Sequence, residues 1–215
     1  MQVCASLVLM DKLPNLKDAY GAANDEDIDA LYRDWAHSYD AGFGDAQGYM
    51  LPREVAMAFV GAGGSGDVLD VGAGTGLVAE QLIGMGVSVI DGVDISAPML
   101  SVARTKAIYR DLYTGNINAP LHLPVYQGVV SAGTFTLGHV GPEAISNLLD
   151  VAATGAIFVI SVNAAHYESA GFAAYMDRAA DQIQGLILTD VRIYDDRADA
   201  PHRDDIARLM VFRKA

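Results

Sequence analysis

Sulfur and positive charge are both scarce in this chain. One cysteine, Cys4, in 215 residues excludes an internal disulfide framework and a zinc site built on four cysteines. Fourteen Lys+Arg stand against 27 Asp+Glu, a net charge of −13. A surface that acidic repels a phosphate backbone, which argues against nucleic acid as a partner. Long hydrophobic runs are missing too. Met1–Met10 is apolar for about ten residues before Asp11 and Lys12, too short to span a bilayer and without the basic start of a secretory signal. The expectation is a soluble, cytoplasmic protein with no membrane partner. His122, His139 and His166 lack the close spacing to other ligands that a metal site on one element requires, so no metal is expected.

Apolar residues and glycine are plentiful. The hydrophobic fraction of 52% is too high for a disordered chain, and the length suits one α/β domain with a small cap. The 22 glycines follow no three-residue period, so glycine is spent on turns and close backbone approaches. Ile28, Leu31, Tyr32, Trp35 and Tyr39 recur at three- and four-residue steps, predicting an amphipathic helix after the acidic start at Asn24–Asp27. Gly42, Gly44 and Gly48 break it, and a second helix opens at Pro52 and runs to Val60. Residues 1–60 therefore read as an N-terminal helical cap, ended by the glycine-rich stretch 61–66.

Beyond that stretch the rhythm alternates strand and helix. Strands are predicted over 67–71, 87–94, 108–113, 127–132, 155–162, 186–194 and 206–214, with helices over 77–84, 97–106, 142–151 and 171–183. Apolar strands alternating with helices imply a mostly parallel, Rossmann-like sheet of seven strands with helices on both faces. The closing hairpin, with Pro201 in its charged turn, adds one antiparallel strand. Residues 61–215 read as one structural unit.

Chemistry concentrates where the first predicted strand meets the first helix. Asp70 stands two residues before Gly72, Gly74 and Gly76, and such glycines let the backbone turn sharply and approach a ligand closely. The run Gly74–Ala79 also satisfies a dinucleotide fingerprint with alanine last. Asp94 closes the following strand, where a carboxylate can accept hydrogen bonds from both hydroxyls of a ribose. That position supports an adenosine ligand of either kind.

The acid with three alternating glycines, followed by Asp94-Ile95-Ser96-Ala97-Pro98-Met99-Leu100, closely resembles the class I S-adenosylmethionine-dependent methyltransferases. Tyr32–Asp40, Gly133-Thr134-Phe135 and Gly138-His139-Val140 resemble, more narrowly, the methyltransferase-like group typified by the Williams–Beuren-region protein. The resemblance implies S-adenosylmethionine as cofactor, with S-adenosylhomocysteine as product, and a small-molecule acceptor. It implies cofactor contacts from Asp70, Gly72, Ala73, Gly74, Gly76, Asp94, Ile95 and Met99, and from Asn116 and Ile117 after the third strand. Asn116 replaces the family's usual Asp at the adenine, keeping an acceptor oxygen without its charge. Ser131 and Gly133 on the fourth strand are expected beside the sulfonium, and Tyr39 over the cofactor's methionine end.

Methyl transfer from a sulfonium is an in-line displacement that needs alignment and, for a hydroxyl or amine, a proton acceptor. His139 and His166, at the carboxyl ends of strands, are the candidate general bases. Two other readings stand beside an enzyme of this class, a cofactor-binding protein without catalysis and a nicotinamide-dependent oxidoreductase.

Overall fold

The computed structural model describes residues 48–136, 140–198 and 202–215. Tyr39 and His139 lie outside the described residues, as does the first helix predicted in the cap. The described chain opens with α1 (Leu51–Gly61), then runs β1 (Asp67–Val71), α2 (Leu77–Gly84), β2 (Val89–Asp94), α3 (Ala97–Thr105), β3 (Leu112–Thr114) and β4 (Tyr126–Phe135). It continues through α4 (Ala144–Asp150), β5 (Ala152–Asn163), α5 (Ala164–Ser169), α6 (Phe172–Arg178), β6 (Ile183–Arg192) and β7 (Ile206–Lys214).

The seven strands form one sheet in the order β3-β2-β1-β4-β5-β7-β6. β1 pairs in parallel with β2 and β4, β2 with β3, and β4 with β5. β7 runs antiparallel to both β5 and β6, so it alone opposes the common direction, as the closing hairpin predicts.

Alternation along the strands builds two cores. Val68, Val130, Ile157 and Val159 face one way, against Val55, Ala56 and Phe59 of α1 and Val78, Ala79 and Leu82 of α2. Leu69, Val129, Phe158 and Ile160 face the other, against Ile145 and Leu148 of α4, Tyr167 of α5 and Phe172 and Met176 of α6. Two further contacts tighten these layers, the stacked pair Phe158–Phe212 with centroids 4.7 Å apart and Phe172 lying flat on Tyr167 at 5.6 Å. α1, the second of the two helices expected before the glycine stretch, thus packs directly on the sheet.

Four segments depart from the sequence expectation. α5 falls between the strand predicted over 155–162 and the helix predicted over 171–183, where no element is predicted; Asn163 starts it by accepting the His166 N–H on its side chain at 3.2 Å. α6 ends at Arg178 and Ile183 already belongs to β6, because its side chain joins the sheet core. β4 extends to Phe135 through an irregularity after Ser131. β3 begins only at Leu112, because residues 108–111 are diverted along the edge of β2 by interactions described below. No described helix is long and apolar enough to cross a membrane.

Candidate functional site

The carboxyl ends of β1, β2, β3 and β4 lie side by side, and the residues singled out by sequence gather there. After β1 the chain turns through Gly72–Gly76, with the Gly72 and Ala73 N–H groups both donating to the Val93 carbonyl at 2.8 and 3.1 Å. This ties the loop to the end of β2. Gly76 has a φ of 98°, a left-handed conformation that opens α2 and that a side chain would strain. Gly72 lies against the Thr134 hydroxyl so closely that a Cβ would overlap it.

Asp94 is the organising acid. Its Oδ2 accepts the Gly74 N–H at 2.8 Å and its Oδ1 accepts the Ser96 N–H at 2.8 Å. One carboxylate therefore fixes both the glycine loop and the start of α3. Ser96 occupies the cap position of that helix without a capping side-chain bond; the acid two residues earlier replaces it. Each carboxylate oxygen keeps further lone-pair capacity. Ile95 beside it is exposed, and Met99 is buried with its terminal methyl 3.7 Å from where a Gly74 Cβ would sit. The Gly115 N–H donates to the Asp94 carbonyl at 2.9 Å, placing Asn116 and Ile117 next in line. Asn116 is exposed and its Oδ1 accepts the Asn118 N–H at 2.9 Å, an Asx turn. Ile117 is buried in the core.

On the other side of β1, Ser131 is fully buried and donates its hydroxyl to the Val71 carbonyl at 2.9 Å; Thr134 donates to the same carbonyl at 3.0 Å. Both hydroxyls brace the root of the glycine loop. Gly133 has a φ of 80°, its N–H donates to the Ser161 hydroxyl at 3.1 Å, and the Tyr49 hydroxyl lies directly over it. Tyr49 in turn packs on Tyr194, ring centroids 5.8 Å apart. His166 is buried, with Nε2 donating to the Val140 carbonyl at 2.8 Å and its ring edge on Phe172. It braces the end of the β4–α4 connection against α5.

Asp70 lies beneath the loop. It is fully buried; Oδ2 accepts the Tyr109 hydroxyl at 2.7 Å, and Oδ1 has no hydrogen-bond partner. Burial pushes its carboxyl up to about 7, the Tyr109 bond acts downward and the nearby charge of Asp94 acts upward. Tyr109, Thr134 and Ser161 were not singled out by sequence. Their roles depend on which strands become neighbours, and the available signal for Tyr109 was Gly92, a glycine inside an apolar strand.

The raised Asp70 carboxyl has a consequence for stability with a definite sign. The unfolded chain gives up this proton near the ordinary carboxyl value of 3.8 and the folded chain near 7, so folding weakens as pH rises between those values and is flat above. Asp70→Asn, which removes the buried charge, is expected to stabilise the protein at pH 8 by about 1–3 kcal/mol. The gain should fade toward pH 4 in thermal unfolding; destabilisation at pH 8 would show a carboxylate held ionised by its partners.

Residues 68–155 match the family model described as a methyltransferase domain. Over those residues the chain carries an S-adenosylmethionine-dependent methyltransferase domain. Solved structures share this fold. The CcbJ methyltransferase from Streptomyces caelestis is 23% identical, with a TM-score of 0.58, over 84% of this chain and 96% of that one. The N-methyltransferase NodS from Bradyrhizobium japonicum WM9, in complex with S-adenosylhomocysteine, is 14% identical, with a TM-score of 0.59, over 82% and 93%. Magnesium protoporphyrin IX methyltransferase (ChlM) from Synechocystis PCC 6803, with bound cofactor, is 18% identical, with a TM-score of 0.55, over 82% of each chain. No curated protein matches the chain in sequence. A Cβ on Gly74 would meet only ordinary contacts from the protein itself, from Met99 at 3.7 Å and the Gly72 carbonyl at 3.9 Å.

Proposed function

We propose that this methyltransferase transfers the methyl group directly, in line, to a small-molecule acceptor. The observation that carries the reading is the end of β4, where Gly133 lies bare beneath the Tyr49 hydroxyl, which packs on Tyr194. A floor of small residues under an aromatic wall suits a compact molecule brought into close contact with the donor. The net charge of −13 disfavours a polyanionic acceptor.

When bound, S-adenosylmethionine supplies a methyl group already activated on a sulfonium, so no protein nucleophile is needed. Asp94 is positioned to accept ribose hydroxyls, Ile95 offers an apolar surface beside them, and Asn116 retains acceptor capacity for an adenine amino group. The N–H groups opening α2 favour the carboxylate of the methionine end. Any proton on the acceptor's nucleophile is assigned to His139, with His166 as the second candidate; in the described geometry the Nε2 of His166 is committed to Val140.

Incubating the protein with a metabolite extract and isotopically labelled donor tests the proposal. With the label on the donor's methyl group, the expected result is a labelled small molecule and an equal amount of unlabelled S-adenosylhomocysteine. Label found only in protein or nucleic acid would overturn the acceptor class. S-adenosylhomocysteine binding without any labelled product would favour the non-catalytic reading.

A further inference from the structure

Tyr109 takes no part in the chemistry above, yet three features of the chain converge to put it under the glycine loop. First, α3 ends in an unusual way. Ala107 has a φ of 53°, the one left-handed non-glycine residue among the described residues, where a helix end normally places glycine. This strained turn sends Ile108 and Tyr109 back onto the sheet instead of outward.

Second, the residues after Tyr109 are clamped. The Arg110 N–H donates to the Ile90 carbonyl at 2.8 Å, its guanidinium holds Asp91 at 2.7 and 2.9 Å, and the Asp111 carbonyl accepts the Gly92 N–H at 3.0 Å. The segment 108–111 is therefore a strap held along the edge of β2 beside Ile90–Gly92. That diversion is why β3 starts only at Leu112.

Third, β2 has a glycine directly beside Asp70. Asp70 of β1 pairs with Gly92 of β2, and the Tyr109 ring crosses Gly92 so closely that a Cβ there would lie 3.0 Å from the ring. The missing side chain is the gap through which Tyr109 reaches the neighbouring strand to donate its hydroxyl to Asp70 at 2.7 Å. The same ring lies 3.1 Å from the Cβ position of Gly76, so it also backs the loop where α2 begins.

We propose that Tyr109 is a positioning residue for the cofactor: by crossing Gly92 to hold Asp70 and by backing Gly76, it sets how the glycine loop sits over the sheet. The inference rests on the reading of that loop as the S-adenosylmethionine site. It differs from ordinary core packing because the hydroxyl, as well as the ring, has a task. The charged groups that bear on the pair are Asp94 at the end of β2, which acts on both, and Glu80 of α2, which acts on Tyr109 and pairs with Lys106 at 3.1 Å. The Tyr109 bond is the contact that draws the Asp70 carboxyl downward most strongly, so removing it should move Asp70's titration to higher pH.

Calorimetric titration with S-adenosylhomocysteine between pH 5.5 and 8.5 tests this on the parent, Tyr109→Phe, Asp70→Asn and the double variant. Tyr109→Phe, which keeps the ring, is expected to weaken binding about tenfold at pH 7. It should also move the pH midpoint of the affinity upward, and that movement should be absent in the Asp70→Asn background. A purely structural role would change affinity alike at every pH. Should Tyr109→Phe alone fail to fold, the double variant, which leaves no unpartnered buried charge, carries the affinity comparison against Asp70→Asn. Equal affinity within either pair, or a loss with an unmoved midpoint, overturns the proposal. Failure of the parent itself to bind S-adenosylhomocysteine would instead overturn the cofactor reading.

Discussion

Asp94→Ala is expected to weaken S-adenosylhomocysteine binding by about a hundredfold or more. The geometry gives two reasons that add. The carboxylate holds the Gly74 N–H and the Ser96 N–H, one on each oxygen, so its removal frees the middle of the glycine loop and the start of α3 together. On the proposed reading of the site it also deletes the acceptor for the ribose hydroxyls, and charge-assisted bonds of that kind are each worth roughly 1.5–3 kcal/mol. Asp94→Asn should fall between the two, because the amide keeps one acceptor oxygen but offers an N–H₂ where a second acceptor stood. Calorimetry on all three proteins orders them; affinity in the alanine variant equal to the parent would remove Asp94 from the site. Melting temperature should move far less than affinity, since Asp94 is only half buried.

The place of Asp94 was legible in the sequence because it is local: it ends an apolar strand two residues before a helix, and it accepts the Ser96 N–H there as a cap would. The strand–helix alternation was legible for a similar reason: Val68, Leu69 and Val71, and Ile157 to Ile160, place apolar residues on both faces of the sheet, as buried parallel strands do. The Asx turn that Asn116 makes with Asn118 takes one of the two lone pairs of the oxygen expected to face adenine, a detail the residue type does not report. The hidden part is what lies between strands. Ser131 is expected beside the sulfonium, and what the sequence does not report is that its hydroxyl donates to the Val71 carbonyl, a partner 60 residues away. No periodicity reports such a pairing. The same holds for Gly133, whose neighbour Tyr49 arrives from the chain before α1.

The largest stability effect is expected at the opposite end of the strap that carries Tyr109. Asp91 is fully buried and accepts four hydrogen bonds, from Arg110 Nε and Nη2 at 2.9 and 2.7 Å, from the Tyr126 hydroxyl at 2.8 Å and from the Asp111 N–H at 3.1 Å. Arg110 also reaches Asp67 at 2.6 Å, so one guanidinium joins β1 to β2, and the Asp91 carboxylate brings in β4 through Tyr126. Burial acts upward on the Asp91 carboxyl, but Arg110, Tyr126 and the Asp111 N–H outweigh it and hold the group below its ordinary value. The stability it supplies is therefore complete above the unfolded value near 3.8 and is lost as pH falls below that toward the folded value. This is opposite in sign to Asp70, whose contribution improves as pH drops from 7 toward 4. Asp91→Ala leaves the Tyr126 hydroxyl buried without its acceptor, and breaking a buried pair costs about 3–5 kcal/mol. With the Arg110 side chain 40% exposed, solvent can take over part of its share, so a loss of about 2–4 kcal/mol is expected at pH 7. In this size class that is roughly 5–15 °C in melting temperature. The variant should also lose the steep fall in stability below pH 4 that the parent owes to this carboxylate. A loss under about 1 kcal/mol, or an acid limb as steep as the parent's, would mean that water already satisfies the cluster and that apolar packing alone holds the strap against β2.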